Sequence, residues 1–337
     1  MGKRFLGREG MIEKQAATVW LAPMSGATDA PFRRQVTKFG ANYVVSEMTA
    51  SDTFLQSRED VVRRTCRHDG AGDWIVQLAG RRPEDMRAAA ALLADMGVDV
   101  IDINMGCPSR QVVGGLSGSA LMRDLPLAKS LIEATLEGAG GVPVSLKMRL
   151  GWDHSMLNAP ELAEIAEELG IVRLAVHGRT RCQFYKGEAD WSAVRDTVDA
   201  TSLPVLVNGD IDTLEDARSA LSASGAAGVM VGRAAMGRPW LIAQLEAELK
   251  GDAYPTPSAE QQITSLIEQI EDSVKLYGAR LGTRIVRKHI SAMIKQVPIE
   301  LPSEERRPLC SQLCQIDAPE DLIAELRELP FERAVAA

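Results

Sequence analysis

Eight short apolar runs recur along the chain, and stretches of helical period separate them. The runs are TVWLAPM (18–24), NYVVSEM (42–48), DWIVQLAG (73–80), DVIDINMG (99–106), VPVSLKMR (142–149), VRLAVHGR (172–179), LPVLVNGD (203–210) and AGVMVGRA (227–234). Between them lie patterns such as PEDMRAAAALLADMG (83–97) and APELAEIAEELG (159–170). Pro83 and Pro160 stand where a first-turn proline belongs, and Gly97 and Gly170 where a helix-ending glycine belongs. Repeated strand–helix alternation predicts parallel strands closed into an α/β (β/α)8 TIM barrel. An open doubly wound sheet is the alternative. It would usually carry GxGxxG after the first strand, and here that strand runs into APMSGATD.

Unusual residues cluster at the C-terminal ends of these runs: Met24 and Glu47, then Gln77, Asn104, Lys147, His177 and Asn208, then Gly232 with Arg233. In a barrel those ends converge on one face, where active sites are built. NGD and VGR close the last two runs. Glycine there lets backbone N–H groups approach an anion, and Arg233 can fork onto phosphate oxygens. Lys147, between Leu146 and Met148, needs an anionic partner or must lose its charge. A Schiff-base lysine and a partner for an electron-rich ring both fit. Gln77, which can donate and accept along a flavin edge, favours the ring. His177 is expected to be exposed on the rim, in contact with a ligand.

Cys107 sits in the turn MGCPSR, directly after the fourth run. A packing thiol, a metal ligand, a nucleophile and a proton donor are the choices. A metal lacks partners, because the four histidines are widely spaced and no HxH or HExxH pattern occurs. A nucleophile would want a neighbouring base, and MGCPSR holds neither histidine nor carboxylate. The five cysteines form no disulfide framework or CxxC pair, and Cys310 and Cys314 read as packing on one helix face. No apolar run approaches the roughly 18–20 residues that span a membrane. The start MGKRFLGREGMIEKQ lacks the apolar core of a signal peptide, so a cytoplasmic protein is expected. A net charge of −8 gives no general sign of nucleic-acid binding, which must then rest on a local patch.

Taken together, APMSGATDAPFR, VSEM, IDINMGCPSRQV, GSALMRD, LKMRLGW, VHGRTRCQFYKGEADW, VNGDI and VGRAAMGRPW resemble the tRNA-dihydrouridine synthases, most closely the bacterial B-type (NifR3-like) group. The resemblance implies an FMN-binding barrel followed by a helical bundle. It implies reduction of the C5–C6 double bond of particular uridines in tRNA, with NADPH or NADH as reductant. By motif, Pro23, Met24 and Ser25 would line the isoalloxazine, and Gln77 and Lys147 would meet its polar edge. His177, Asn208, Gly209, Asp210, Gly232 and Arg233 would hold the ribityl phosphate. Asn104 and Arg149 would hold the uracil, and Cys107 would be the catalytic acid. The loop after CP departs from the pattern: Arg110 is followed by Gln111, Val112, Val113, Gly114 and Gly115 rather than by further basic residues.

A substrate of this kind needs a basic surface. Residues 273–297 carry Lys275, Arg280, Arg284, Arg287, Lys288, His289 and Lys295 and no acid. Arg284, Arg287 and Lys288 are spaced to share a helix face. Such a stripe is ordinarily a solvated face; beside the resemblance it reads as an RNA contact. KGDAYPTPS (250–258) reads as a linker. The expected organisation is an N-terminal extension (1–16), a barrel (17–250) and a helical tRNA-binding domain (258–332) with helices near 259–278, 282–297, 303–315 and 318–329. The tail FERAVAA is expected to fray, and a monomer is the default. A flavin barrel reductase of a small molecule and a non-catalytic RNA-binding protein are the competing readings. The basic bundle speaks against the first, and Cys107 with Lys147 against the second.

Overall fold

Eight parallel strands close on themselves. In the computed structural model, which describes residues 17–56, 59–68 and 70–331, they are β1 (Thr18–Leu21), β2 (Tyr43–Val45), β4 (Asp73–Ala79), β5 (Val100–Met105), β6 (Val144–Arg149), β7 (Arg173–His177), β8 (Val205–Asn208) and β9 (Gly228–Val231). A two-residue strand, β3 (Thr49–Ala50), adds to the C-terminal end of β4. The order β2-β1-β9-β8-β7-β6-β5-β4 is closed by parallel pairing of β2 with β4. The fold is a (β/α)8 barrel followed by helices. The expected extension 1–16, and the tail beyond Phe331, lie outside the described residues.

All eight expected strands are present, but β1, β2 and β9 each stop three residues short of the ends of their apolar runs. The ladder of β1 ends where Ala22 N–H donates to Val231 O at 2.8 Å, because Pro23 has no N–H to continue it. Met24 and Glu47 therefore stand in loops rather than on strands. Strand side chains alternate between two cores. Outward ones pack against the helices around Leu21, Val76, Ile101, Leu146, Val176 and Val229. Inward ones, Trp20, Val45, Ile75, Val100, Ala175, Leu206 and Met230, fill the barrel itself. Cross-strand register then lines up the polar inward residues above them: Gln77 with Asp102, Asn104 with Lys147, Arg149 with His177, His177 with Asn208.

Beyond the barrel, helices Ala259–Tyr277, Ala279–Ile294, Ser303–Leu313 and Pro319–Arg327 enclose a separate core of Ile263, Leu266, Ile270, Val286, Ile290, Ile294, Leu313, Leu322 and Leu326. Ser258 starts the first with a capping box to Gln261. The second begins three residues before its expected start, because Gly278 (φ +81°) both ends one helix and starts the next. Cys310 is buried in this core and Cys314 is half-buried just past its helix. Among the described residues no helix is long and apolar enough to cross a membrane.

These helices seat on the segment after β1. Lys38 pairs with Glu268 at 2.6 Å, Arg34 pairs with Asp272, and Ser265 Oγ donates to Gln35 Oε1 at 3.0 Å. His289 packs at a tilt against Phe32, with ring centroids 4.4 Å apart and an interplanar angle of 40°. Burial, and then the charge of Lys288, push His289 down to about 3. An unfolded histidine titrates near pH 6.5, so the unfolded chain binds an extra proton between those values. The His289 contribution is whole above about pH 6.5 and is lost as the pH falls toward 3. The stability difference between wild type and His289→Gln should therefore shrink by about 2 kcal/mol from pH 7 to pH 5. Denaturant titrations of both proteins at the two pH values check it; a difference that does not change with pH rules it out.

Candidate active site

The mouth is floored by an amide network. Gln77 Nε2 donates to Asp102 Oδ2 at 2.6 Å, and Asn104 Nδ2 donates to Gln77 Oε1 at 2.8 Å. Asn104 Oδ1 accepts the N–H groups of Gly106 (3.2 Å) and Cys107 (3.0 Å). That closes the turn after β5 and lifts Cys107 to the rim, half-buried. Ser119 grips the same loop, with its N–H at 3.1 Å and its hydroxyl at 2.8 Å from Cys107 O. Gly118 makes this possible: at φ +60°, any Cβ there would stand 2.9 Å from Cys107 O. Burial pushes the Cys107 thiol up, against the Ser109 N–H and the charges of Arg149 and Lys147. The group is a neutral thiol at neutral pH.

Lys147, on β6, is buried, and its ammonium donates to Asn208 Oδ1 at 2.8 Å. Asn208 Nδ2 donates to Met230 O at 2.7 Å, which fixes the amide so that its oxygen faces the lysine. Burial, then Arg149, pull Lys147 down to about 8; Asp102 and Cys107 oppose them. Arg149 is almost wholly enclosed and is committed to the protein: it donates to Gly106 O (2.7 Å), Thr180 O (2.9 Å) and Phe184 O (2.8 Å). It ties the Cys107 loop to the loop after β7.

The ends of β7, β8 and β9 gather the cations. His177 is half-buried rather than exposed, since Arg179 covers it with NH1 3.2 Å from Nε2. Burial and four surrounding cations, Lys147, Arg149, Arg179 and Arg233, keep its imidazole well below the usual range and neutral. Asp210 does not point at an anion. Its carboxylate pairs with Arg179, accepts Arg233 at 3.2 Å and takes Ala189 N–H at 2.9 Å. Burial works against the ionised form, yet these bonds hold Asp210 below the usual carboxylate range. Its carboxylate thus serves to hold the two arginines and the Ala189 loop. Gly209 (φ +117°) has no room for a side chain: a Cβ would lie 2.8 Å from the His177 ring. Gly232, with Met24 Sδ 3.6 Å from where its Cβ would be, leaves the β9 backbone open, and Arg233 is largely exposed beside it. Pro23 is half-buried and Ser25 exposed on the loop after β1.

The basic stripe is divided. Arg284 is exposed, but Arg287 pairs with Asp317 at 2.6 Å. The acid missing from 273–297 is supplied by the loop before the last helix, which spacing along one helix cannot reveal. Lys288 leaves the stripe for the barrel: its Nζ lies 2.9 Å from where a Gly26 Cβ would be. Close by, Glu47 accepts Gly26 N–H, and burial pushes its carboxyl up.

The sequence profile of the dihydrouridine synthase (Dus) family matches residues 20–327. The chain belongs to the dihydrouridine synthase family. It is 50% identical over 291 residues to a probable tRNA-dihydrouridine synthase of Rhodobacter capsulatus, covering 86% of this chain and 90% of that one. It is 43% identical over 273 residues to tRNA-dihydrouridine synthase B of Pseudomonas putida, covering 80% of each. Among solved structures, 6-hydroxypseudooxynicotine amine oxidase from Pseudomonas geniculata N1 superposes with a TM-score of 0.50 at 12% identity, over 73% of this chain and 50% of that one. That likeness concerns the fold alone.

Three residues of this family member's mouth escaped the strand-end reading. Arg179 is buried two residues past His177 and bonds Asp210, His177 and Gly187 O. Tyr185 is 58% exposed, with its ring 5.5 Å from the Arg149 guanidinium and 6.0 Å from that of Arg233. Asp102 lies one layer below the rim. The HGRTR run carried a signal for Arg179; Tyr185, in a loop, and Asp102, mid-strand, had none in spacing alone.

Proposed function

We propose that this chain is a tRNA-dihydrouridine synthase that reduces the C5–C6 bond of specific uridines with FMN and NADPH. The observation that carries the reading is Cys107, a neutral thiol, facing the same mouth as the Lys147 ammonium in a chain of this family. The residues fit a flavin phosphate: Gly232 leaves the backbone at the end of β9 open, and Arg233 stands exposed beside it. Lys147, with Asn208 as its hydrogen-bond partner, can face the electron-rich edge of the ring.

FMN, when bound, supplies hydride to C6 of the uracil. Lys147 would orient the ring and favour its electron-rich form, with Gln77 acting through Asn104 in the floor beneath it. His177, Gly209, Gly232 and Arg233 hold the phosphate, with Asn208 and Asp210 acting through Lys147 and the arginines. Met24, with Pro23 and Ser25, lines one wall. Asn104 and Arg149 shape the uracil pocket by holding the Cys107 turn and the loop after β7 in place. Cys107 hands its proton to C5, a task for a group protonated at the start. The uridine must leave its stack to reach this depth, at a cost of a few kcal/mol. Arg284 and Lys288 offset it through RNA contacts beside the mouth.

Mapping dihydrouridine by mass spectrometry in tRNA from a deletion strain tests this. At least one position should revert to uridine, and the plasmid-borne gene should restore it. A yellow, FMN-loaded protein with an unchanged tRNA profile would instead favour reduction of a small molecule.

A further inference from the structure

One layer below the rim, β5 turns Asp102 into a barrel interior otherwise filled by Trp20, Ile75, Val100, Ala175, Leu206 and Met230. A carboxylate buried among such side chains is unfavourable, and an apolar residue would pack there at less cost. Asp102 accepts Ser145 Oγ at 2.6 Å on one oxygen and Gln77 Nε2 at 2.6 Å on the other. Burial pushes its carboxyl up, while these bonds and the charge of Lys147 oppose the rise.

The chemistry of the acid sets a direction. A carboxylate only accepts, so Gln77 must offer its nitrogen downward and its oxygen toward Asn104. Asn104 must then give its nitrogen to Gln77, at 2.8 Å, and keep its oxygen for the N–H groups of Gly106 and Cys107. Either carboxamide has nearly the same shape when turned over. The acid at the far end opposes this, and the N–H groups of Gly106 and Cys107 oppose it at the near end. Were the row reversed, Asn104 would present N–H to two N–H donors and the turn would open.

We propose that Asp102 is a positioning residue that fixes the direction of this amide row and so holds the Cys107 thiol in its aim at the mouth. The inference rests on the reading of Cys107 as the proton donor, and it assigns Asp102 a part that neither flavin nor RNA is needed to reveal.

The test is Asp102→Asn in the full chain. Asparagine can offer N–H to Gln77, so the row loses its anchor at the far end and only the Gly106 and Cys107 N–H groups still hold its direction. The probe is iodoacetamide at fixed pH, with each cysteine followed by peptide mass spectrometry. Cys107 should react about tenfold faster than in wild type, the factor for one lost buried hydrogen bond. Exposed Cys182 and buried Cys310 should keep their rates. Ser145→Ala removes the other bond to Asp102 but leaves the acid, and Cys107 should stay protected. Gln77→Met cuts the row and should expose Cys107 as Asp102→Asn does; it carries the test if Asp102→Asn does not fold. An unchanged Cys107 in the folded variants overturns the proposal. So does equal acceleration of Cys310, or the same acceleration in Ser145→Ala. If Cys107→Ala still halts tRNA reduction after such a result, only the positioning role falls.

Discussion

Cys107→Ala protein is expected to consume NADPH in its first half-reaction at close to the wild-type rate and to reduce tRNA at least ~10²-fold more slowly, the range for losing a positioned acid. The separation follows from where the thiol stands. It rises from the β5 turn, whose backbone is held by Asn104 and Ser119, while Lys147 bonds to Asn208 instead. Its removal leaves those groups in place. A serine should not rescue the rate, because its hydroxyl is a far weaker acid. Stopped-flow measurement of each half-reaction decides the matter. An equal loss in both would assign Cys107 to the flavin pocket and end its role as proton donor.

The same neutral thiol argues against a nucleophile. Nucleophilic cysteines need a lowered pKa or an adjacent base. Here burial raises the group, and the His177 imidazole of the same mouth is itself made a weak base by burial and four cations. The turn that the sequence left open between several chemistries thus holds a thiol that keeps its proton at neutral pH.

What could be read from sequence, and what could not, divides by range. The strands announced themselves because each is an apolar run bounded by turn residues, and parallel strands buried on both faces need such runs. Their inward polar ends, Gln77, Asn104, Lys147, His177 and Asn208, followed from the strand phase and do converge on one mouth. Bonds between distant residues were not legible. The pairing of Arg287 with Asp317 needed the turn before the last helix, and Lys288 at Gly26 needed the seating of one core on another. Asp210 reads as part of a phosphate motif until Arg179, folded under it, shows what the carboxylate faces. Asp102 was invisible for the opposite reason. It sits inside a strand pattern, and only the network above it distinguishes it from a packing defect.

Lys147→Met is expected to slow flavin reduction by NADPH about 10²-fold, the effect of removing one fixed electrostatic partner, and to abolish its pH dependence near 8. The ammonium of Lys147 is buried and lowered to about 8 by burial and by Arg149. It is charged below that pH and neutral above it. A charge that favours an electron-rich ring therefore acts fully at pH 7 and fades as the pH rises through about 8. In wild type the rate of flavin bleaching should be flat to about pH 7.5 and then fall toward tenfold per unit. Lys147→Arg keeps its charge throughout, so its limb should move out of the range even if its plateau is lower. A limb near pH 8 that survives in Lys147→Met belongs to another group, and the electrostatic role then fails. Burying this ammonium beside Arg149 is itself unfavourable. Its retention on β6, with Asn208 turned to hold it, is what a site built around an electron-rich ligand requires.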